Sequence, residues 1–348
     1  MNKVSSSRWQ QLYSRIFVLI ILAALLLIMV RSLTGGFSRF DENFSGKTRL
    51  ISTFNHLRYS LGDQVFPQVL VGKEGWLEFS AESNLDDYQN AFIVPEQLES
   101  IHKKLNAFNK KLTARGITLV VVIAPNKATI YPDKIPEKLE KISEQSRLDI
   151  LLELMKQTHS SYIIDIRPAF IEASKHQQLY YKTDTHWNAR GAYIAYREIM
   201  NAISKTYPEL QPYQPNQFAW KESQPRIMDL ARLMDVDFIR EHGQQALPTS
   251  ETPYLQRFSS ESDITMSWGD PSQGKTLVMY HDSFGNLLGN FLQPQFKTAI
   301  YIHNRHATKT SWINTINPDI VILEIVERDM PYLDVLLSGL LKELPRQK

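Results

Sequence analysis

The chain of 348 residues contains no cysteine. Disulfides and thiolate metal sites are therefore excluded, although this does not fix the compartment. An excess of charge of one sign is also missing. Thirty-nine Lys and Arg stand against 37 Asp and Glu, a net charge of +2, so nothing points to a nucleic-acid partner. The nine histidines form neither a His-x-x-x-His pair on a helix nor a Cys/His cluster, which makes metal catalysis a poor reading. There is no glycine-rich phosphate loop of the Walker or dinucleotide type, and no cofactor is expected. Internal repeats and low-complexity tracts are absent too. What remains is 43% hydrophobic and 22% charged, an ordinary globular composition long enough for one large domain or two small ones.

The one long apolar run lies near the N-terminus, at residues 16–30 (IFVLIILAALLLIMV). Fifteen residues are short for a membrane span, which needs about 20. Extension to 13–33 supplies the length if Arg15 and Arg31 snorkel to the interfaces. Lys3, Arg8 and Arg15 precede the run and favour a cytoplasmic N-terminus. A cleaved signal peptide is the rival. Val30-Arg31-Ser32 is a poor cleavage site and Leu33-Thr34-Gly35 only a fair one, so an uncleaved anchor is preferred. On either reading the remainder lies outside the cytoplasm. The expected organisation is a cytoplasmic tail and transmembrane anchor over 1–33, a linker and helical neck over 34–71, and a catalytic domain over 72–348.

Beyond the neck, strands alternate with helices. Residues 117–124 (ITLVVVIA), 161–166, 276–280, 298–302 and 319–326 read as buried strands. Residues 96–115, 146–158, 168–174, 189–207, 227–234 and 331–344 read as helices. Residues 207–225, with four prolines, and 241–274 read as loop or small subdomain. This alternation predicts an α/β fold, a parallel sheet with helices on both faces.

Two stretches carry candidate chemistry. In the first, an apolar strand ends abruptly in His281-Asp282-Ser283-Phe284-Gly285. A serine at a strand exit, before a helix N-terminus, sits where α/β proteins place a nucleophile, with nearby backbone N–H groups for an oxyanion. The same Asp-Ser pair also reads as a helix cap. Gly285 permits a sharp turn. In the second, Asp184-Thr-His186-Trp187-Asn188 places a carboxylate and an imidazole two residues apart, on one face of an extended segment. A serine nucleophile needs such a base, and the base needs a carboxylate. Asn188 reads as the cap of the helix that follows.

Together these stretches resemble the alginate O-acetyltransferases of the AlgJ/AlgX type, an SGNH-hydrolase-like family related to the DltD group. The Asp–His motif precedes the serine motif, which is the permuted order of that branch. Gly72-Lys-Glu-Gly-Trp-Leu77, Ala124-Pro-Asn-Lys-Ala-Thr-Ile-Tyr-Pro132 and Asn317-Pro-Asp-Ile-Val-Ile-Leu-Glu-Ile-Val-Glu-Arg328 agree, so the resemblance covers roughly 71–328. It implies an SGNH-hydrolase-like catalytic domain with Ser283 as nucleophile, His186 as base and Asp184 as its orienting carboxylate. It also implies that the loop after strand 117–124 faces the site, with Asn126 as an oxyanion donor and Lys127 as a contact to an anionic sugar. Asp229-Leu230 resembles a Gly-Asp-Leu element of the family, with Met228 in place of the glycine. The implied activity is transfer of an acetyl group through an acetyl-serine to an exopolysaccharide acceptor. A membrane-bound O-acyltransferase is the implied partner that exports the acetyl group.

His303, Arg305 and His306 follow another strand and form a candidate cationic cluster for a glycan, or else a solvated basic loop. Glu327-Arg328 reads as a structural ion pair at the same edge. Glu324, inside an apolar run, is a buried carboxylate that needs a partner and so serves structure. Two rival functions remain open: a carbohydrate acetyl esterase, with water as acceptor, and a non-catalytic glycan-binding subunit of a polysaccharide export complex.

Overall fold

The computed structural model describes residues 47–81, 84–91, 93–249, 256–259, 264–268, 274–305 and 312–344, together with 15–16, 18–24, 26–27 and 30. The chain divides into two compact units, Met1–Leu61 and Gly62–Lys348. In the first, the described residues between 15 and 30 are helical, and α1 spans Lys47–Ser60, a stretch without Gly or Pro. Among the described residues no helix is long and apolar enough to cross a membrane. The rest of the expected 13–33 anchor, and the expected linker after it, lie outside the described residues.

The second unit opens with β1 (Val69–Val71) and β2 (Leu77–Phe79), an antiparallel pair. The turn between them places Glu74 and Gly75 at positive φ, 57° and 77°. Helices α2 (Asn84–Tyr88) and α3 (Pro95–Thr113) follow. The periodicity of α3 buries Leu98, Ile101, Leu105, Phe108 and Leu112. Next come β3 (Thr118–Ala124), the short α4 (Lys127–Ile130) and α5 (Arg147–Gln157). Ser146 and Asp149 cap α5 reciprocally, side chain to backbone in both directions. Then β4 (Ile163–Ile164) leads to α6 (Arg167–Ser174) and α7 (Ala189–Ile203). The Asn188 side chain caps α7 by accepting from Arg190 and Gly191 N–H.

The expected loop at 207–225 ends in a strand. β5 (Phe218–Arg226) pairs antiparallel with β6 (Glu241–Pro248), and α8 (Asp229–Leu233) lies between them. Most of β5 is exposed, and an irregularity between Glu222 and Pro225 breaks its register. A strand without a buried face leaves no alternation for the sequence to display. The polar 241–274 stretch likewise holds β6, β7 (Gln256–Ser259) and β8 (Ile264–Trp268). The remaining elements are β9 (Thr276–His281), α9 (Gly285–Leu292), β10 (Thr298–His303), α10 (Trp312–Ile316), β11 (Ile320–Val326) and α11 (Leu333–Glu343).

The central sheet is seven-stranded, in the order β4-β3-β11-β9-β10-β8-β7. From β4 to β10 all neighbours are parallel. The sequence expectation of a parallel sheet needs correction at one side. β8 runs antiparallel to β10, and β7 runs antiparallel to β8, the latter because the four residues that join them are too few for a parallel crossover.

Side chains alternate between two cores, one on each face. Val120, Val122, Met279 and Ile322 pack with α7 and α9. Val121, Ile123, Tyr280 and Leu323 pack with α3, α5 and α11. Each fully buried aliphatic side chain contributes about 1.5–3 kcal/mol, so the parallel strands form a stiff platform. Their carboxyl ends share one edge. Asn126, Ser283, Arg305 and Glu327 all follow strands that end there.

Candidate active site

Ser283 stands just past β9, on the turn into α9. The Asp282 carboxylate shapes this turn, with Oδ1 accepting from Phe284 N–H at 2.8 Å. No side chain caps α9, whose N-cap is Phe284; Asp282 instead closes the turn before it, and the Ser283 hydroxyl is spent elsewhere. Gly285 is needed for close approach: a Cβ there would overlap the His281 side chain. It does not adopt a positive φ.

The histidine loop arrives from the other side. It is a pinched loop, closed by the Tyr180–Trp187 bridge and by Asn188 N–H donating to the Leu179 carbonyl at 2.8 Å. Asp184 and His186 do not share the face of an extended segment, as their spacing suggested. They sit in bends, and the Asp184 side chain folds over its own turn. Its Oδ1 accepts from His186 N–H at 3.0 Å and from His186 Nδ1 at 2.6 Å. A short carboxylate that turns back on the backbone two residues on is what makes Asp a turn residue. A carboxylate only accepts, so Nδ1 carries the proton and Nε2 is left to accept. The Ser283 hydroxyl donates to that Nε2 at 2.8 Å.

Buried groups hold the loop. The Lys127 ammonium donates to the carbonyls of Asp184 (2.8 Å), Lys182 (3.3 Å) and Tyr181 (3.4 Å), and to that of Leu77. Glu241 accepts from the N–H groups of Lys182 (3.0 Å) and Thr183 (2.9 Å). Asp229 accepts from Thr185 N–H at 2.9 Å and from the Thr185 hydroxyl at 2.5 Å. Trp187, fully buried, donates its indole N–H to the Phe284 carbonyl at 3.1 Å and joins the loop to the serine turn.

Charge is tuned accordingly. Burial pushes the Asp184 carboxyl up, but the hydrogen bonds and charge of His186 outweigh it and hold it below its usual value. Burial pulls the imidazole of His186 down, but the bond and charge of Asp184, with the charge of Asp229, raise it overall. Asp229 is raised by burial and then by the charge of Asp184. Asp184, His186 and Asp229 offer ligand atoms within 4.8 Å of one another, the group among the described residues best placed to hold a cation. A cation on Nδ1 would have to displace the proton that Asp184 already accepts. The set suits a protonated imidazole better.

On one side Ser283 and His186 open into a cavity of about 300 Å³. Arg226, Gln244 and Gln245 of the β5–β6 ribbon line one side of it, and Asn286 and Asn290 of α9 another. Trp187, Phe284 and Leu287 add apolar surface, so the lining mixes hydrogen-bonding groups and one Arg with apolar walls.

The remaining expected residues fare differently. Lys127 is turned into the protein, 3% exposed, and its ammonium is spent on backbone carbonyls. The anionic-sugar contact expected of it is not available. Asn126 is also buried, at 1% exposure, and its amide donates to Asp87 Oδ2 at 2.5 Å, so its donor is engaged away from the serine. Arg305 is exposed and donates from Nε to His303 Nδ1 at 3.2 Å. Neither His303 nor Arg305 lines the cavity. His306 lies outside the described residues. Glu327 and Arg328 diverge: Glu327 accepts from Asn126 N–H (3.0 Å) and the Thr129 hydroxyl (2.6 Å), and Arg328 lies 5.5 Å over the rings of Phe79 and Phe284. Asp229 and the Gln244–Gln245 wall were not among the expected site residues. For Asp229 the only signal was its likeness to a Gly-Asp-Leu element.

A family described as "SGNH hydrolase-like domain, acetyltransferase AlgX" matches residues 69–269. The chain belongs to this family. The matched span includes Asp184, His186 and Asp229, and Ser283 follows it. A "Probable alginate O-acetylase AlgJ" of Pseudomonas fluorescens is 28% identical over 178 residues, 49% of this chain and 42% of that protein. The chain spans about half the length of the curated relatives it matches. Among solved structures, Bacillus cereus PatB1 matches with a TM-score of 0.58 at 14% identity, over 75% of this chain and 96% of that one. The O-acetyltransferase domain of Pseudomonas putida AlgJ matches with a TM-score of 0.52 at 16% identity, over 79% of this chain and all of that domain. At these identities the likeness of this AlgX-family chain to both is one of fold.

Proposed function

We propose that this chain is an O-acetyltransferase that carries an acetyl group on Ser283 and passes it to a hydroxyl of an exopolysaccharide. The observation that carries the reading is the unbroken row from Asp184 through His186 to the Ser283 hydroxyl, with links of 2.6 and 2.8 Å, opening into the cavity of about 300 Å³. Membership of the AlgX acetyltransferase family and likeness to proteins named alginate O-acetylase support acetyl transfer as the chemistry.

The reaction runs in two halves. His186 Nε2 takes the serine proton as Oγ attacks the acetyl carbonyl carbon of the donor. The tetrahedral intermediate collapses, the donor's leaving group departs with that proton, and acetyl-serine remains. A sugar hydroxyl then gives its proton to His186 and attacks the acetyl carbon, and the Ser283 oxygen leaves and recovers the proton. Among the described residues the Ser283 N–H has no partner, whereas those of Phe284 and Gly285 donate to Asp282. The Ser283 N–H is thus the oxyanion donor that the turn supplies. Asp184 holds the imidazole in the required tautomer and stabilises its charged form.

In the same reading, residues 13–33 anchor the chain in the cytoplasmic membrane, with the catalytic unit on the periplasmic or extracellular side. A membrane-bound O-acyltransferase delivers the acetyl group there.

The test is acetyl trapping with a surrogate acetyl ester, read by intact mass. Wild type gains one acetyl group on Ser283, and a hydroxyl-rich oligosaccharide discharges it to the sugar. Ser283→Ala gains none, and Ser283→Ala/His186→Ala is little worse than either single change, because the residues act as a unit. Equal labelling of Ser283→Ala would sink the reading. Discharge to free acetate that no oligosaccharide diverts would make the enzyme an esterase.

A further inference from the structure

Directly beneath Ser283 lie two carboxyl groups that the reaction above does not use. Asp282 is the residue before the serine, at the end of β9, and Glu324 is on the neighbouring β11. Asp282 is 9% exposed and Glu324 fully buried. Their arrangement is interlocked. The Asp282 N–H donates to Glu324 Oε2 at 3.2 Å. Asp282 Oδ1 accepts from Phe284 N–H at 2.8 Å, and Oδ2 accepts from Val326 N–H at 2.7 Å. The Gly285 N–H, on the same turn, donates to the Asp282 carbonyl at 3.2 Å. Glu324 Oε1 is buried without a hydrogen-bond partner. Neither group makes a salt bridge to a Lys or Arg among the described residues.

Glu324 is fully buried with no Lys or Arg to pair it, and burial, followed by the charge of Asp282, pushes its carboxyl well above the usual carboxylate range. Both oxygens of Asp282 accept backbone N–H groups, as a carboxylate should. Glu324 accepts on one oxygen and has the other to spare, so it is the member that holds the proton. A hydrogen donated from Glu324 to Asp282 then closes the set, and no buried charge is left facing another.

We propose that Glu324 and Asp282 form a carboxylic acid–carboxylate pair with one proton between them, which sets the backbone of the 282–285 turn and so aims the Ser283 hydroxyl at His186. Glu324 is a positioning residue: it touches neither donor nor acceptor. The pair also explains why an apolar strand carries a glutamate at a position where valine or isoleucine would pack. Without it the Asp282 N–H has no acceptor, and the turn keeps only the bond from Val326 N–H to Asp282 Oδ2 as its tie to β11. This inference rests on Ser283 being the nucleophile, but its test does not depend on acetyl transfer.

The experiment uses the full chain with Glu324→Gln and Glu324→Leu. Gln keeps a neutral donor and an acceptor in the same shape; Leu keeps the bulk and loses both. Three readouts are taken: kcat and KM on a surrogate acetyl ester, the rate at which a sulfonyl fluoride labels Ser283, and the infrared difference spectrum of wild type minus Glu324→Gln at neutral pH. Glu324→Gln should stay within about threefold of wild type in kcat and labelling rate. Glu324→Leu should lose about 100-fold in both, with KM nearly unchanged, as expected for a reacting atom displaced by about 1 Å. The difference spectrum should contain the carbonyl stretch of a protonated carboxylic acid. A Glu324→Leu variant that labels as fast as wild type overturns the inference, as does a spectrum without the acid band. If Glu324→Leu does not fold, the Gln variant and the spectrum still decide. Should wild type itself neither turn over the ester nor label at Ser283, the functional reading fails, and the acid band then tests the pair alone.

Discussion

The indole N–H of Trp187 donates to the carbonyl of Phe284 at 3.1 Å, and their rings lie 5.2 Å apart at 78°. This contact joins the residue after the histidine to the residue after the serine. The two loops are 97 positions apart in the chain; the histidine loop follows β4 and α6, the serine turn follows β9, and both strands belong to one sheet. The distance from Nε2 to Oγ is therefore set partly by a bond that neither residue makes.

Trp187→Phe should show how much that bond matters. The ring that fills the core is largely kept, and the donor is lost. The Phe284 carbonyl, at the N-cap of α9, still accepts the first helical N–H, so the loss is that of one hydrogen bond, about 0.5–1.5 kcal/mol of stability. The loops should also drift, lowering kcat on a surrogate ester by about tenfold with KM little changed. Thermal unfolding and steady-state kinetics on the same preparation check this, and an unchanged kcat would show that the loops are aligned by other means.

Asp229 provides a second, electrical control on the base. Its charge is one of the causes that lift His186 above the usual imidazole value, after the bond and charge of Asp184. His186 must be neutral to accept the serine proton, so a raised value shifts the acid limb of the pH profile upward. Asp229→Asn removes that charge and can still accept from Thr185. The acid limb of kcat/KM should move to lower pH. A limb that stays in place would mean that Asp229 carries no charge in the free enzyme.

Glu327 makes a prediction about stability instead of rate. Burial, followed by the charge of Asp87, pushes its carboxyl up from 4.5 to about 7. The folded chain thus holds this proton more tightly than the unfolded chain. Its contribution is fully present below pH 4.5 and is lost as pH rises to about 7. Glu327→Gln, which can still accept from Asn126 and Thr129, should flatten the fall in unfolding free energy between those limits. Denaturant titrations across that range give the slope directly; an unaltered slope in the variant rejects the assignment.

The parts of the fold and site that could be read in advance share a physical character. The parallel strands were legible because a strand buried on both faces is a continuous apolar run, as in residues 118–124 and 320–326. That Asp184, His186 and Ser283 meet was legible only from the two motifs taken together in the permuted family order, because each stretch alone also reads as a helix cap. β5 and β6 were not legible. They are mostly solvated, and their role as a cavity wall depends on where they pack. Lys127 and Asn126 were located correctly at the sheet edge but assigned the wrong direction. Position along a strand tells where a side chain starts, whereas its direction follows from which buried carbonyls and carboxylates surround it. Glu324 was read rightly as a buried acid in need of a partner, and the partner, Asp282, was invisible because strand order was unknown.

Lys127 provides the last prediction. Its ammonium gathers the carbonyls of Leu77, Tyr181, Lys182 and Asp184. Burial lowers its affinity for the proton, and the charges of Glu78, Asp229, Asp184 and Glu241 restore part of it. That balance implies that the cation matters twice, as a donor to the loop and as the counter-charge to the carboxylates around His186. Lys127→Met keeps the stem and removes both. The Lys182 carbonyl retains the Leu77 N–H, but the Asp184 carbonyl loses the buried donor that anchors it. Removing one side of a buried charge arrangement costs about 3–5 kcal/mol, so the variant should unfold at clearly lower denaturant. Where it remains folded, the loop that carries Asp184 should loosen and kcat should fall more than KM rises. Lys127→Arg should not rescue it, because a planar guanidinium cannot direct donors at carbonyls gathered around a point charge. A Lys127→Met protein with wild-type stability and wild-type kcat would show that the loop is held by Glu241 and Asp229 without help.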